Sequence, residues 1–377
     1  MAFEQYIIQD GVRLRRGFTT GTCAALATKA AATVLLGGDA PTEVSVMTPK
    51  NLLVTAEVAH ISIAESQVTV SIVKDGGDDI DATHGAEIRA TVSKSEGETA
   101  IFGGEGVGTV TKAGLDQPPG NPAINSGPRR QILGALTEVS QTFSYEKGFS
   151  VTISVPDGGQ IAQRTFNPQI GIVGGISILG TSGIVEPRSL KALLDSLAVE
   201  VRVLSSNGGK IAIITPGNYG EHFLESYPKL GQIPQIKCAN FIGDTIDMAV
   251  ENGLEQVLLV GHLGKMSKIS GGIMNTHSKT ADCRTELFTA HAALAGCDQE
   301  TAQNLMEAAT SDSCLDILEG VGLMDTVLQS MTTAAQKNLT RRAGNLEIGL
   351  ITFTNQRGLL TVSPQAEKIL QDWSTSL

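Results

Sequence analysis

Glycine and polar residues gather directly after three apolar runs in the second half of the chain. Residues 210–215 are followed by Pro216, Gly217, Asn218, Tyr219 and Gly220. Residues 237–242 are followed by Gly243, Asp244 and Thr245, and residues 256–260 by Gly261, His262, Leu263, Gly264 and Lys265. In open α/β sheets, ligands bind beyond the carboxyl ends of the strands. If these runs are adjacent parallel strands, the loops after them converge on one ligand. Asp244 stands at a helix start, where it is either a ligand contact or a cap. His262 is closely flanked by glycines, which remove packing partners and leave its ring open to a functional or a structural role.

A second cluster spans 271–286 (GGIMNTHSKTADCRTE) and places Asn275, Thr276, His277, Ser278, Asp282 and Arg284 in a loop that enters a helix. Polar groups on loops held by rigid elements carry function disproportionately often. His262, His277 and Asp282 also have the composition of a two-histidine, one-carboxylate metal site. A third feature is 171–186, where Gly180, Thr181, Ser182 and Gly183 stand between a strand and a helix expected near Pro187. Backbone N–H groups and two hydroxyls there suit a carboxylate or phosphate; the alternative is a tight turn beside close packing. The segment is neither a dinucleotide fingerprint nor a P-loop. In the first half, Arg15 and Arg16 precede Thr19, Thr20, Thr22 and Cys23, and Arg129 and Arg130 open a helix. Guanidinium forks pair with carboxylates bidentately, so both clusters suit a carboxylate-rich ligand, or simply a solvated face.

The elements that position these groups follow from periodicity. Residues 20–36 are rich in Ala and Leu and read as a helix, capped by Thr20 or Thr22 and stopped by Gly37 and Gly38. Strands are expected at 43–48, 52–59, 67–73, 86–93 and 149–155, with a helix at 128–143. In the second half, strands at 210–215, 237–242 and 256–260 alternate with helices at 219–227 and 244–253, the pattern of a parallel sheet covered on both faces. Helices are expected at 281–296, 299–310, 312–319 and 323–342, and a final strand pair at 346–354 and 359–363. The fold class is therefore an α+β domain over 1–155, followed by an α/β domain over 165–377 with a mostly parallel sheet flanked by helices.

Composition sets limits on partners. The chain has 377 residues, 41% hydrophobic and 18% charged, enough for a packed core. A net charge of −11 and only 4% aromatic residues argue against a nucleic-acid binder. A local arginine cluster can still attract a polyanionic small molecule. No secretory signal and no membrane-spanning run is read, and the five cysteines, odd in number and without a C-x-x-C pair, suit a reducing cytoplasm. Homo-oligomerisation is left open.

Taken together, several segments resemble the cobalt-precorrin-5B C(1)-methyltransferase family of anaerobic cobalamin biosynthesis. They are 14–31 (LRRGFTTGTCAALATKAA), 106–115, 122–130, 175–187, 216–223 and 261–286 (GHLGKMSKISGGIMNTHSKTADCRTE), spread in order over most of the chain. Small departures from the family pattern are Ala113, in place of an expected proline, and Ser126-Gly127 before Pro128. The resemblance implies methylation of C-1 of a cobalt-containing macrocycle, a small-molecule tetrapyrrole, with S-adenosylmethionine as donor. On that reading Gly180, Thr181, Ser182, Gly183, Gly217, Asn218, Tyr219, Asp244 and Gly264 hold the donor, Asp244 through ribose hydroxyls and Tyr219 on the adenine or sulfonium. Arg15, Arg16, Thr19, Thr20, Thr22, Arg129, Arg130, Lys265, Asn275 and Thr276 hold the macrocycle. His262, His277 and Asp282 are the catalytic candidates, the histidines orienting the macrocycle or taking a proton. Two ligands held across a domain cleft would supply alignment. The competing readings are a metal-dependent hydrolase or lyase built on His262, His277 and Asp282, and a noncatalytic tetrapyrrole carrier.

Overall fold

The structure, a computed structural model, describes residues 3–376. It divides into two compact units, Met1–Leu190 and Lys191–Leu377. The division falls later than the 155–165 expected from sequence, because residues 171–185 pair with strands at the start and middle of the chain.

The first unit runs β1 (Tyr6–Gln9), β2 (Val12–Arg15), β3 (Gly17–Phe18), α1 (Thr20–Leu35), β4 (Glu43–Met47), β5 (Leu53–Glu57), β6 (His60–Ile63), β7 (Gln67–Val73) and β8 (Glu87–Ser95). It continues with β9 (Ala100–Gly103), β10 (Thr109–Val110), α2 (Ser126–Phe143), β11 (Gly148–Ser154), α3 (Gly158–Ala162), β12 (Ile172–Val173) and β13 (Ile184–Val185). Its main sheet has the order β6-β7-β8-β11-β9. Val92 pairs with both Val68 and Val151, and Ala90 with both Val70 and Ile153, so one face presents a buried apolar ladder. The small side chains of α1 let most of it lie buried against this face, between the sheet and α2, with Lys29 and the last turn partly exposed. β12 pairs with β10 and β13 with β3, which ties the glycine-rich 171–186 stretch to this unit.

The second unit begins with α4 (Leu190–Ser206) and alternates β14 (Ile211–Thr215), α5 (Asn218–Glu225), β15 (Gln235–Lys237), α6 (Ile242–Glu251), β16 (Gln256–His262) and α7 (Leu263–Ser270). Four helices follow: α8 (Arg284–Leu294), α9 (Gln299–Met306), α10 (Ser311–Gly320) and α11 (Met324–Ala343). The chain then closes with β17 (Glu347–Thr354), β18 (Gly358–Val362) and α12 (Pro364–Ser376). The sheet order is β15-β14-β16-β17-β18, parallel except for β18. Alternate residues of one strand enter two different cores: Val257 and Leu259 pack with Leu197, Val201 and Ile246, whereas Leu258 and Val260 pack with Phe353, Ile369 and Trp373. A strand buried on both faces must be apolar at every position, as 257–260 is.

Two local expectations are corrected. The strand expected at 237–242 lies at Gln235–Lys237 instead, because Phe241 N–H turns back to Cys238 O (2.8 Å) with Ala239 in the left-handed region (φ 52°), and α6 starts at Ile242. Residues 261–265 are not a loop: β16 runs through His262 and α7 begins at the next residue. Among the described residues, no helix is long and apolar enough to cross a membrane.

Candidate functional site

At the carboxyl ends of β14, β15 and β16 the second unit gathers four chemically distinct side chains. His262 is the N-cap of α7, and its Nδ1 accepts the Gly264 N–H at 3.1 Å. This fixes the neutral tautomer, with the proton on Nε2. The half-buried ring lies 5.8 Å from both Tyr219 and Phe353, and burial lowers its pKa, with the Asp312 charge opposing. Tyr219 is exposed on the first turn of α5, whose cap Gly217 has φ +96°. Lys265 donates to Pro216 O and Ala239 O, both at 3.1 Å, so its half-buried ammonium sits across the ends of β14 and β15. Asp244 lies in the first turn of α6, a helix with no side-chain cap. The capping role considered for it is therefore not the one it plays.

The 271–286 cluster is drawn over the turn after β15. Phe241 and Asn275 form a bridge, Thr276 N–H donates to Asn240 O (3.0 Å), and the buried Thr276 hydroxyl donates to Asn240 Oδ1 (3.2 Å). Gly243 N–H donates to Met274 O at 3.1 Å. The clamp is Lys268, only 3% exposed, whose Nζ donates to Thr276 O (3.2 Å) and Ala281 O (2.8 Å) and lies 3.5 Å from Asp282 Oδ1. Replacing Lys268 by methionine leaves two carbonyls without their donor. The expected cost is about 1–3 kcal/mol, with accelerated amide hydrogen exchange confined to 276–282; unchanged exchange there would show that other contacts hold the loop.

Asp282, expected as catalytic, is paired. Arg284 grips it through Nε (2.6 Å) and Nη2 (3.0 Å), and the Arg284 hydrogen bond holds its carboxyl below the usual range. His277 is exposed, with Nδ1 accepting Lys279 N–H (3.0 Å). Both His262 and His277 thus use Nδ1 on a backbone N–H, and neither ring accepts a proton without giving up that bond. Among the described residues, no three His, Cys, Asp or Glu side chains gather as a metal site, so His262, His277 and Asp282 do not form the one considered above.

The remaining expected residues belong to the first unit. Gly180, Thr181, Ser182 and Gly183 wrap the start of α1. Thr20 Oγ1 donates to Leu179 O (3.2 Å) and accepts Leu179 N–H (2.9 Å). Thr22 Oγ1 donates to Gly183 O (2.8 Å), Thr19 N–H donates to Gly183 O (3.1 Å), and Gly21 N–H donates to Leu179 O (3.0 Å). Thr19 Oγ1 caps the helix by accepting Thr22 N–H. Ser182 is spent on Ile184, accepting its N–H and donating to its carbonyl. Of the groups foreseen for an anion, the Ser182 hydroxyl is bonded to protein, while the Leu179 and Gly183 carbonyls tie the segment to the start of α1. Cys23 beneath it is fully buried, and burial pushes its thiol up to about 12.

Arg15 is committed to Asp75 through both terminal nitrogens (2.5 and 2.8 Å), and Arg16 to Glu186 (3.0 Å). Arg129 Nε donates to Ile124 O (2.9 Å). Of these four arginines Arg130 is the exposed one, and it makes no ion pair among the described residues. The partners of Arg15 expose a segment that the sequence reading missed, 74–85 (KDGGDDIDATHG). Asp78 accepts Arg15 N–H (2.6 Å), Asp79 accepts Arg188 N–H (3.1 Å), and His84 Nδ1 accepts Gly76 N–H (3.0 Å). Buried Lys74 pairs with Asp81. The available signal was the density of aspartates, glycines and a histidine within twelve residues.

A mostly parallel sheet whose strand ends carry an ammonium, a carboxylate, a neutral imidazole and an exposed aromatic ring has the chemistry to receive a small polar ligand. Comparison with known proteins narrows the class. The family model CbiD matches residues 7–187, and the model for the CbiD C-terminal domain matches 275–364. The chain is 46% identical over 353 residues to the cobalt-precorrin-5B C(1)-methyltransferase of Ruminiclostridium cellulolyticum, covering 93% of this chain and 92% of that one. It is 40% identical over 369 residues to the protein of the same name in Alkaliphilus metalliredigens, covering 98% and 97%. A crystal structure of the cobalamin biosynthesis protein CbiD from Archaeoglobus fulgidus is 31% identical and covers 73% of this chain and 86% of that one, with a TM-score of 0.40. The chain belongs to the CbiD family of cobalt-precorrin-5B C(1)-methyltransferases.

Proposed function

We propose that this chain transfers a methyl group from S-adenosylmethionine to C-1 of cobalt-precorrin-5B, giving cobalt-precorrin-6A in anaerobic cobalamin synthesis in the cytoplasm. The observation that carries this reading is near-full-length identity of 46% to a protein of that activity. The sulfonium supplies an electrophilic methyl; the ring carbon attacks it in line, and the electron pair of the broken bond stays on sulfur. No covalent nucleophile on the protein is required. Alignment is the protein's task, worth roughly 7–11 kcal/mol when reactants are held at near-attack distance.

The donor is held by the second unit's strand ends. Asp244 accepts from the ribose hydroxyls, Tyr219 packs on the adenine, and the backbone at Gly217, Asn218 and Gly264 leaves room for the ligand. His262 acts as an Nε2–H donor rather than a base, because its Nδ1 is engaged by Gly264. His277 and Asn275 are the groups of the second unit left to meet the macrocycle and its carboxylates. Arg15 and Arg16 would have to exchange the acids they already hold.

Calorimetric titration with S-adenosylhomocysteine is expected to show saturable binding near one per chain. Asp244→Asn removes a charged acceptor and is expected to weaken binding about tenfold or more. Folded wild-type protein that binds no S-adenosylhomocysteine overturns the donor assignment; an unchanged affinity in the variant removes Asp244 from it.

A further inference from the structure

Lys265 is unusual among the lysines of its unit. Its ammonium is half-buried and bonded to two carbonyl oxygens, Pro216 O and Ala239 O, at 3.1 Å each. Among the described residues no carboxylate pairs with it. The ionisable groups acting on it are the buried Cys238 thiol, itself pushed up to about 12 by burial, and a second cation, Lys268. A backbone carbonyl carries only part of a charge, so two of them solvate an ammonium without neutralising it. Burial costs such a group free energy that a paired carboxylate would offset.

The surroundings are shaped for a ligand at this point. Gly217 stands beside the ammonium with φ +96°, and a Cβ there would lie 3.6 Å from Nζ. One residue before Pro216, the fully buried Thr215 hydroxyl makes no hydrogen bond. Both features lie at the carboxyl end of β14, where open α/β sheets receive ligands. Three N–H bonds radiate from a lysine ammonium, and two are spent on carbonyls.

We infer that Lys265 is the counter-ion for the carboxylate of the donor's amino-acid arm. This rests on the donor reading above. It differs from a grip on the macrocycle, which also carries carboxylates, and the two sources are separable by experiment. The ammonium supplies a single charge-assisted hydrogen bond to a carboxylate oxygen, while Pro216 O and Ala239 O keep Nζ in place when the ligand leaves. The role is binding and orientation: a fixed carboxylate anchors one end of the donor and limits where its sulfur can sit.

The test titrates wild-type protein with S-adenosylhomocysteine and with the same thioether lacking the carboxylate, S-adenosyl-3-thiopropylamine. Wild type is expected to bind the decarboxylated ligand about 10- to 100-fold more weakly, the range of a hydrogen bond between charged groups. Lys265→Met is expected to lose that discrimination, weakened for S-adenosylhomocysteine and little changed for the decarboxylated ligand. Lys265→Arg keeps the charge and is expected to retain part of it. Equal wild-type affinity for the two ligands overturns the inference while leaving the donor reading intact, and hands Lys265 to the macrocycle. Binding of neither ligand by folded wild type overturns both together. The wild-type comparison needs no variant, so a Lys265→Met protein that fails to fold does not leave the question open.

Discussion

Replacing Gly180 by alanine is expected to destabilise the first unit by about 2–5 kcal/mol, by backbone strain and overpacking together. Gly180 has φ +138°, a region L-residues avoid, and a Cβ there would lie 2.2 Å from Thr19 Oγ1. The neighbours cannot retreat. Thr19 is the N-cap of α1, and a Cβ on Gly21 would already lie 2.6 Å from Pro128 Cγ in the first turn of α2. A Cβ on Gly127 would lie 2.8 Å from Gly180 O. Three chain segments, 19–22, 126–128 and 179–183, therefore meet with no room for a further Cβ, which is the physical reason for glycine in each. The same junction sets the start of α2 and so the placement of Arg130. Gly134, on the exposed face of α2 with nothing near its absent Cβ, is the control: alanine there is expected to stabilise by about 0.5–1 kcal/mol. Urea melts of both variants check the pair. A Gly180→Ala protein as stable as wild type would mean the junction yields more easily than its contacts imply.

These contacts also explain which parts of the fold the sequence could disclose. α1 was legible because its signals are local, an alanine-rich interior and glycines at 37 and 38, although its cap is Thr19 and not the expected Thr20 or Thr22, which lie inside the first turn. The runs at 67–73 and 149–155 alternate cleanly because one face is buried. β15 was not legible. It has three residues, two of them the polar Gln235 and Lys237, and the more apolar stretch after it is buried by a turn and a helix start instead. α7 hid behind Gly261 and Gly264, since nothing in the sequence reveals that His262 caps the helix it precedes. The placement of Tyr219, Asp244, His262 and Lys265 just after strands was legible because it follows from the alternation of elements. The ion pair of Arg15 was not legible for a nonlocal reason: its partner Asp75 lies 60 residues away, in a segment whose polarity looks like an ordinary surface turn. Likewise 171–186 shares the glycine rhythm of the second half, while its pairing partners are β3 and β10.

Glu200→Gln is expected to raise stability at pH 8 by roughly 2–3 kcal/mol and to change it little at pH 4. Glu200 lies on α4 beside the buried Leu197, Val201 and Val203. Burial lifts its carboxyl to about 7 from an ordinary 4.5, against the pull of Lys237. That pull is weakened because Lys237 already pairs with Glu221 at 2.6 Å. The folded state therefore holds the proton more tightly than the unfolded chain. Its contribution to stability is fully present below the unfolded value, falls as pH rises between about 4.5 and 7, and is lost above the folded value. Glutamine keeps the size and the neutral hydrogen-bonding character of the protonated acid, so it removes the cost of burying a charge without opening a cavity. Denaturant melts at the two pH values read the difference directly. A gain of the same size at both would assign the effect to packing, and no gain at pH 8 would mean that Glu200 ionises in the fold as readily as in the open chain. Lys237 closes β15 at the strand ends where Lys265 and Asp244 stand, so the buried carboxyl also acts on the electrostatics of that edge. Neutralising it leaves the edge more positive above neutrality, the direction that favours a carboxylate ligand.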